Sequence, residues 1–157
     1  MRFVDAPVFI KWMSASKRNL SLEAAISGYI LYRIEKMERA ITTTLVKDEV
    51  LIWLSRYRAS ALPTFIKALR SLLSLEIVTP KLEDQEVACN TFGKLPLGLS
   101  DLVSLATMKR LNVEEIYTPD KGFEKGGVRV IFHELAQKEE FEKFTDFLKT
   151  QNYRLNF

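Results

Sequence analysis

The chain has 157 residues, of which 47% are hydrophobic and 27% charged, and carries 23 lysine and arginine against 20 aspartate and glutamate for a net charge of +3. This length and balance suit one soluble domain with a substantial core, and the mild basic excess permits a polyanionic partner without requiring one. Cys89 is the single cysteine and His133 the single histidine. An intrachain disulfide, a cysteine-rich zinc site and a histidine metal cluster are therefore excluded, and acid chemistry falls to Asp and Glu. No apolar run approaches the roughly 20 residues of a membrane span. Asp5 breaks the first apolar run, unlike a signal peptide. The expectation is a cytoplasmic protein with no membrane association.

Phe3-Val4 reads as a short strand ending at Asp5, and Pro7 suits the first turn of a helix. Ser21 caps a longer helix with Glu23 in its first turn, and Ala25, Ile26, Tyr29, Ile30, Ile34 and Met37 follow helical spacing. The β-branched run Ile41 to Val46 predicts a second strand. From Lys47 the pattern is helical, with Val50, Trp53, Leu54 and Tyr57 on one face. Pro63 opens another helix with Phe65, Ile66, Leu69, Leu72 and Leu73 inside. Leu75 to Thr79 is a third strand stopped by Pro80. A weaker helix follows around Leu82 to Phe92, then a loop containing Gly93, Pro96 and Gly98. Ser100 is expected to cap the next helix. Glu115 to Thr118 and Val128 to Ile131 are the fourth and fifth strands. His133 to Phe157 reads as one amphipathic helix, with Phe141, Phe144, Phe147 and Leu148 on its apolar face, then a tail. Alternating strands and helices predict an α/β fold around a mainly parallel sheet of about five strands, covered on both faces.

In such a sheet, ligands collect beyond the carboxyl ends of the strands. Asp5 stands at the end of the first strand and Asp120 just beyond the fourth. Asp101 opens the helix that leads into the fourth, and Glu49 lies in the first turn after the second, with Asp48 an equal candidate on position alone. Right-handed crossovers can bring these acids to one edge. Each also has an ordinary explanation, as a helix-dipole partner or a turn residue. Asp5 is the hardest to explain so, because an acid directly after a core strand is poorly accounted for by burial.

The segment Leu99-Ser100-Asp101-Leu102-Val103-Ser104-Leu105-Ala106-Thr107, followed by Val113 to Phe123 (VEEIYTPDKGF), resembles the C-terminal half of PIN domains. There an S/N-D-x-x-x-x-A-x-A helix leads into a strand and a T/S-x-D-x-x-F loop. Phe3-Val4-Asp5 resembles the family's first strand and first acid, and Thr43 to Leu51 its second strand and the helix carrying a glutamate, with Glu49 favoured over Asp48. The resemblance spans residues 1–132 and leaves 133–157 as a C-terminal extension, packed on the same domain or on a partner. It implies a three-layer α/β/α sandwich and an acidic quartet of Asp5, Glu49, Asp101 and Asp120 in a metal-dependent endoribonuclease. The nearest relatives it points to are small prokaryotic toxin ribonucleases of the VapBC type. An antitoxin protein, RNA and a second copy forming a homodimer are the implied partners.

Oxygen-only ligands favour Mg²⁺ or Mn²⁺ over zinc. Asp5 and Asp101 are expected as direct ligands and Asp120 as direct or water-mediated, with Glu49 holding or activating a water. Lys121 is the best-placed substrate cation. Lys11, Lys17, Arg18, Arg56, Arg58 and Lys125 are further candidates, and Thr118 can orient a carboxylate or water, or contact substrate. Two departures from the family pattern stand out: Ala6-Pro7 follows the first acid, and Gly122 replaces a further acid. They leave open a non-catalytic RNA- or protein-binding module, and a DNA-directed or RNA-maturing nuclease would share the same site.

Overall fold

Five strands hydrogen-bond side by side in the order β3-β2-β1-β4-β5, every pair parallel. The computed structural model describes residues 1–157. The strands are β1 Arg2–Val4, β2 Ala40–Thr43, β3 Leu75–Val78, β4 Glu115–Tyr117 and β5 Arg129–Ile131. Between β1 and β2 run α1 Ala6–Met13 and α2 Leu22–Glu35, and between β2 and β3 run α3 Thr44–Tyr57 and α4 Leu62–Ser71. The antiparallel pair α5 Leu82–Thr91 and α6 Leu99–Arg110 leads to β4, and only a 3-10 turn, Lys121–Gly126, separates β4 from β5. The result is a three-layer α/β/α sandwich. The chain progresses outward from β1 in both directions, so strand order reverses between β1 and β4. That is where a parallel sheet opens a crevice.

The central strands are apolar because both of their faces are covered. Phe3, Val4, Ala40, Ile41, Ile116 and Tyr117 are all buried. Several expected boundaries shift for local reasons. The second strand stops at Thr43, whose side-chain oxygen accepts the Val46 N–H at 3.0 Å and so caps α3, taking Thr44, Leu45 and Val46 into that helix. Gly98, and not Ser100, is the N-cap of α6, so Ser100 sits inside the first turn. The helix begun near Pro63 ends at Ser71, which leaves Leu73 83% exposed instead of in the core. The C-terminal segment is a 3-10 turn, His133–Gln137, followed by α7 Glu139–Thr150, and not one continuous helix.

The α7 helix packs on α2 of its own chain. Tyr29 meets Phe141 and Phe144 at ring-centroid distances of 5.6 and 5.5 Å. The tail returns across α1, where Tyr153 stacks on Trp12 at 5.7 Å, and the Leu20 N–H donates to the Arg154 carbonyl. At the amino edge of the sheet Glu38 and Glu115 each meet two arginines. Glu38 pairs with Arg2 (3.3 Å) and Arg33 (2.9 Å), and Glu115 with Arg2 (3.3 Å) and Arg129 (3.2 Å). The Tyr117 hydroxyl donates to Glu38 at 2.7 Å, and burial pushes its pKa up to about 12.

Candidate active site at the carboxyl edge of the sheet

Asp5 is placed by the ladder itself. Its N–H donates to the Tyr117 carbonyl at 3.1 Å, which extends the β1–β4 pairing by one residue and sets Asp5 opposite Thr118. Asp5 is also the N-cap of α1, with Oδ1 accepting the Ala6 N–H at 2.9 Å. Its Oδ2 accepts the Thr118 hydroxyl at 2.7 Å. Thr118 Oγ1 in turn accepts the Asp120 N–H at 3.2 Å, so one fully buried threonine ties the first acid to the loop bearing the last. Thr118 therefore orients a carboxylate and offers no free surface to a substrate.

Asp120 is exposed, and its Oδ1 accepts the Gly122 N–H at 2.8 Å. Gly122 stands where the resemblance would place a further acid, and the packing explains the departure. A Cβ there would lie 3.0 Å from Asp120 Oδ1, 3.0 Å from the Pro96 carbonyl and 3.2 Å from Leu97 Cδ2. The loop before α6 occupies the space a side chain would need.

Glu49 projects from the second turn of α3 and is half-buried. Ser100 stands by its carboxylate and opposes its upward shift, so the residue expected as a helix cap instead neighbours the site. The only signal for this role in the sequence is its place directly before Asp101. Asp48 is exposed and pairs with Lys47 at 3.1 Å, away from the other acids. Asp101 lies in the first turn of α6 and is half-buried.

The four acids feel one another. Burial pushes Asp5 up to about 7; the Thr118 and Ala6 hydrogen bonds oppose the shift, and the charges on Asp101 and Glu49 add to it. Burial and then Asp101 raise Glu49. Burial and then Asp120 raise Asp101. None of the four has a lysine, arginine or histidine nitrogen within salt-bridge distance, in contrast to the paired acids of the opposite edge. They approach as a chain of neighbours: no three Asp, Glu, His or Cys side chains are gathered closely enough to hold one ion between them. A donor set made only of oxygens, spaced openly and short of positive charge, fits a hard divalent cation that keeps part of its water shell.

The candidate cations divide. Lys11 pairs with Glu23 at 2.9 Å, Lys17 lies 5.0 Å over the Tyr153 ring, and Arg58 donates to the Ser14 carbonyl at 3.2 Å. Lys121 and Lys125 are exposed and in no ion pair, and both lie in the 3-10 turn directly after Asp120. His133 approaches Glu23 at 3.6 Å on the surface.

Fold and site together define an α/β domain with an acidic crevice at its strand-order reversal. The PIN domain family model matches residues 2–128, and the chain belongs to that family. Among solved structures it is similar to a toxin, VapC20 of Mycobacterium tuberculosis, described as cleaving the sarcin–ricin loop. The TM-score is 0.68 at 15% identity, covering 84% of this chain and 99% of that one. It is also similar to a chain of a toxin–antitoxin complex from Klebsiella pneumoniae (TM-score 0.59, 18% identity, 83% and 96% covered). A third similar structure is FitAB bound to a DNA fragment (TM-score 0.62, 14% identity, 83% and 94% covered). No curated protein matches the chain significantly.

Proposed function

We propose that this protein is a metal-dependent endoribonuclease that hydrolyses RNA phosphodiester bonds through Asp5, Glu49, Asp101 and Asp120, and that it is the toxin of a toxin–antitoxin pair working in the cytoplasm. The observation that carries the reading is the contrast between the two sheet edges. Glu38 and Glu115 at the amino edge are neutralised by arginine, whereas Asp5, Glu49, Asp101 and Asp120 neighbour one another at the carboxyl edge with no basic partner. Like charges held near one another without a counter-charge destabilise a fold. Such an arrangement is retained for what it binds. The resemblance in fold to a toxin described as cleaving the sarcin–ricin loop supports RNA as substrate, and the toxin–antitoxin complexes among similar structures support an antitoxin partner.

Asp5 and Asp101, with Asp120 reaching it through a retained water, would hold Mg²⁺ or Mn²⁺, which when bound supplies charge neutralisation at the phosphate and a more acidic water. Asp5 is pre-oriented for this by the Thr118 hydroxyl and the Ala6 N–H, so little is lost in ordering it. Glu49 is raised by burial and by Asp101, which suits an Oε atom to accept the proton of the attacking water. Lys121, free of ion pairs and one residue beyond Asp120, meets the substrate backbone.

The test is cleavage of single-stranded and structured RNA in Mg²⁺, Mn²⁺ and chelator, with Asp101→Asn as the control. The variant should keep its far-ultraviolet spectrum and melting transition, lose divalent-cation binding, and lose at least a hundredfold in cleavage, in line with removal of an essential charged group. Full manganese-dependent activity in Asp101→Asn would sink the assignment.

A further inference from the structure

The loop that leads into the Asp101 helix carries an aromatic side chain that stands outside the core. Thr91 to Lys94 form a tight turn. Phe92 has φ −56° and ψ 130°, Gly93 has φ +86°, and the Lys94 N–H donates to the Thr91 carbonyl at 3.0 Å. This is a type II turn, in which the third residue needs a positive φ and is therefore glycine. The turn presents Phe92 outward, 62% exposed and outside the core. The other exposed aromatics Tyr32, Tyr57 and Phe157 each rest against a ring, of Phe144, Trp53 and Phe141 respectively. Phe147 lies in the groove between α2 and α7. Phe92 is the exposed ring carried by the loop that leads into the Asp101 helix.

Its position is set by the rest of the loop. Leu97 is buried and anchors the segment, while Pro96 and Leu97 abut Gly122 and the Asp120 turn. Gly98 begins α6, and a Cβ there would sit 3.8 Å from Asp101 Oδ2. The Phe92 turn thus belongs to the loop that leads into the Asp101 helix and whose later residues abut the Asp120 turn. Lys94 and Lys121, both exposed and in no ion pair, lie on the two segments that meet there. A free π-face on a rigid turn, flanked by cations beside a phosphodiester site, is the combination that holds unpaired nucleotides.

We propose that Phe92 is a base-stacking platform for single-stranded RNA, holding an unpaired nucleotide next to the acidic crevice while Lys94 and Lys121 meet the adjoining phosphates. The proposal deepens the nuclease reading and rests on it. It is tested by anisotropy of a fluorescent single-stranded RNA oligonucleotide in an Asp101→Asn background, which holds the RNA uncut. Phe92→Ala should weaken binding about tenfold, Phe92→Tyr should restore it, and Phe92→Leu should stay weak, because a sequence-tolerant stack needs the ring. Lys94→Gln should lower the salt dependence of binding by about one phosphate contact. With Asp101 intact, Phe92→Ala should raise KM and leave kcat within about threefold, as for loss of uniform binding. If the parent binds RNA and Phe92→Ala binds equally well, the platform is disproved while the nuclease reading stands. A change in solution mass on Phe92→Ala, with RNA affinity unaltered, would instead assign the turn to self-association and overturn the proposal. If the wild-type protein neither binds nor cleaves RNA, the nuclease reading fails first and takes this one with it.

Discussion

Asp5 concentrates the cost of the site in one side chain. It is 4% exposed, its two oxygens are already hydrogen-bonded, and burial still lifts it from 3.8 to about 7. A carboxyl raised on folding stabilises the native state fully below its unfolded pKa, and that stabilisation is lost as pH rises through the folded value. In chelator, the protein should therefore lose stability as pH climbs from about 4 to about 7 and then level off. The contribution of Asp5 to this loss is on the order of 4 kcal/mol at most. Asp5→Asn should melt higher than the parent at pH 8 in chelator, show a flatter pH profile, and gain less from added Mg²⁺. Differential scanning calorimetry across pH 4 to 8 reads all three. A variant that melts lower than the parent at pH 8 would make Asp5 a structural hydrogen-bonding residue.

At the scale of the element, the site depends on how α6 is held. α6 delivers Asp101 to the crevice, and it is fixed against α5 by a buried acid near its other end. Asp84 accepts from Arg110 Nε at 2.9 Å and Nη2 at 2.8 Å and from the Thr107 hydroxyl at 3.2 Å, and also caps α5 through the Lys81 N–H at 2.8 Å. The Arg110 guanidinium holds the Asp84 carboxyl below its ordinary value. The sign is opposite to that of Asp5. A lowered carboxyl stabilises the fold above its unfolded pKa, and this is lost as pH falls through the folded value. Asp84→Ala should cost about 2–3 kcal/mol near neutrality, because it removes a cap and leaves Arg110 without its partner. The difference from the parent should begin to shrink below about pH 4, where the unfolded carboxyl takes up its proton, and vanish only as pH falls through the lowered folded value. Urea unfolding at pH 7 and pH 3.5 measures both numbers. RNA cleavage per folded molecule should fall less than stability does, since Asp84 does not touch the acids.

For the whole molecule, the C-terminal extension is part of the domain's packing. Phe141, Phe144 and Leu148 are buried, and the tail lies against α1 and the start of α2 through Tyr153, Arg154 and Leu155. Deleting residues 138–157 should uncover Tyr29, Tyr32, Trp12 and Leu20, lower the melting temperature, and cause aggregation visible by light scattering. Phe144→Ala offers a graded version and should cost about 3–5 kcal/mol as a buried phenyl removed from a packed site. In both variants the four acids, carried by the sheet and by α3 and α6, should still bind Mg²⁺ wherever the protein stays folded. A soluble truncation of unchanged mass and stability, lacking cleavage, would place the extension in the active site.

Much of this was legible in the order of residues, because each reading rested on local chemistry. Short apolar and β-branched runs reveal the strands and period-3.6 patterning most helices, and Ser21 and Pro7 mark helix starts by their bonding capacity and fixed φ. A lone cysteine and a lone histidine restrict the chemistry to carboxylates. Asp5, Asp101 and Asp120 stand out as acids at the ends of core elements. What tertiary structure decided was whatever depends on a partner distant in the chain. Whether Thr43 ends a strand or caps a helix turns on where the β2 ladder stops, and Leu73 lies outside the core because α4 ends before it. Thr118 turns inward because β1 sets Asp5 opposite it, 113 residues away in sequence. Position alone leaves Glu49 and Asp48 equal, the family resemblance favours Glu49, and the fold sets Glu49 near Ser100 and Asp101 while Asp48 pairs with Lys47. The crowding around Gly122 comes from Pro96 and Leu97, on a loop distant in the chain. Local patterning reports how each segment meets water, but a site also needs distances between segments, and those are set by how the sheet orders its strands.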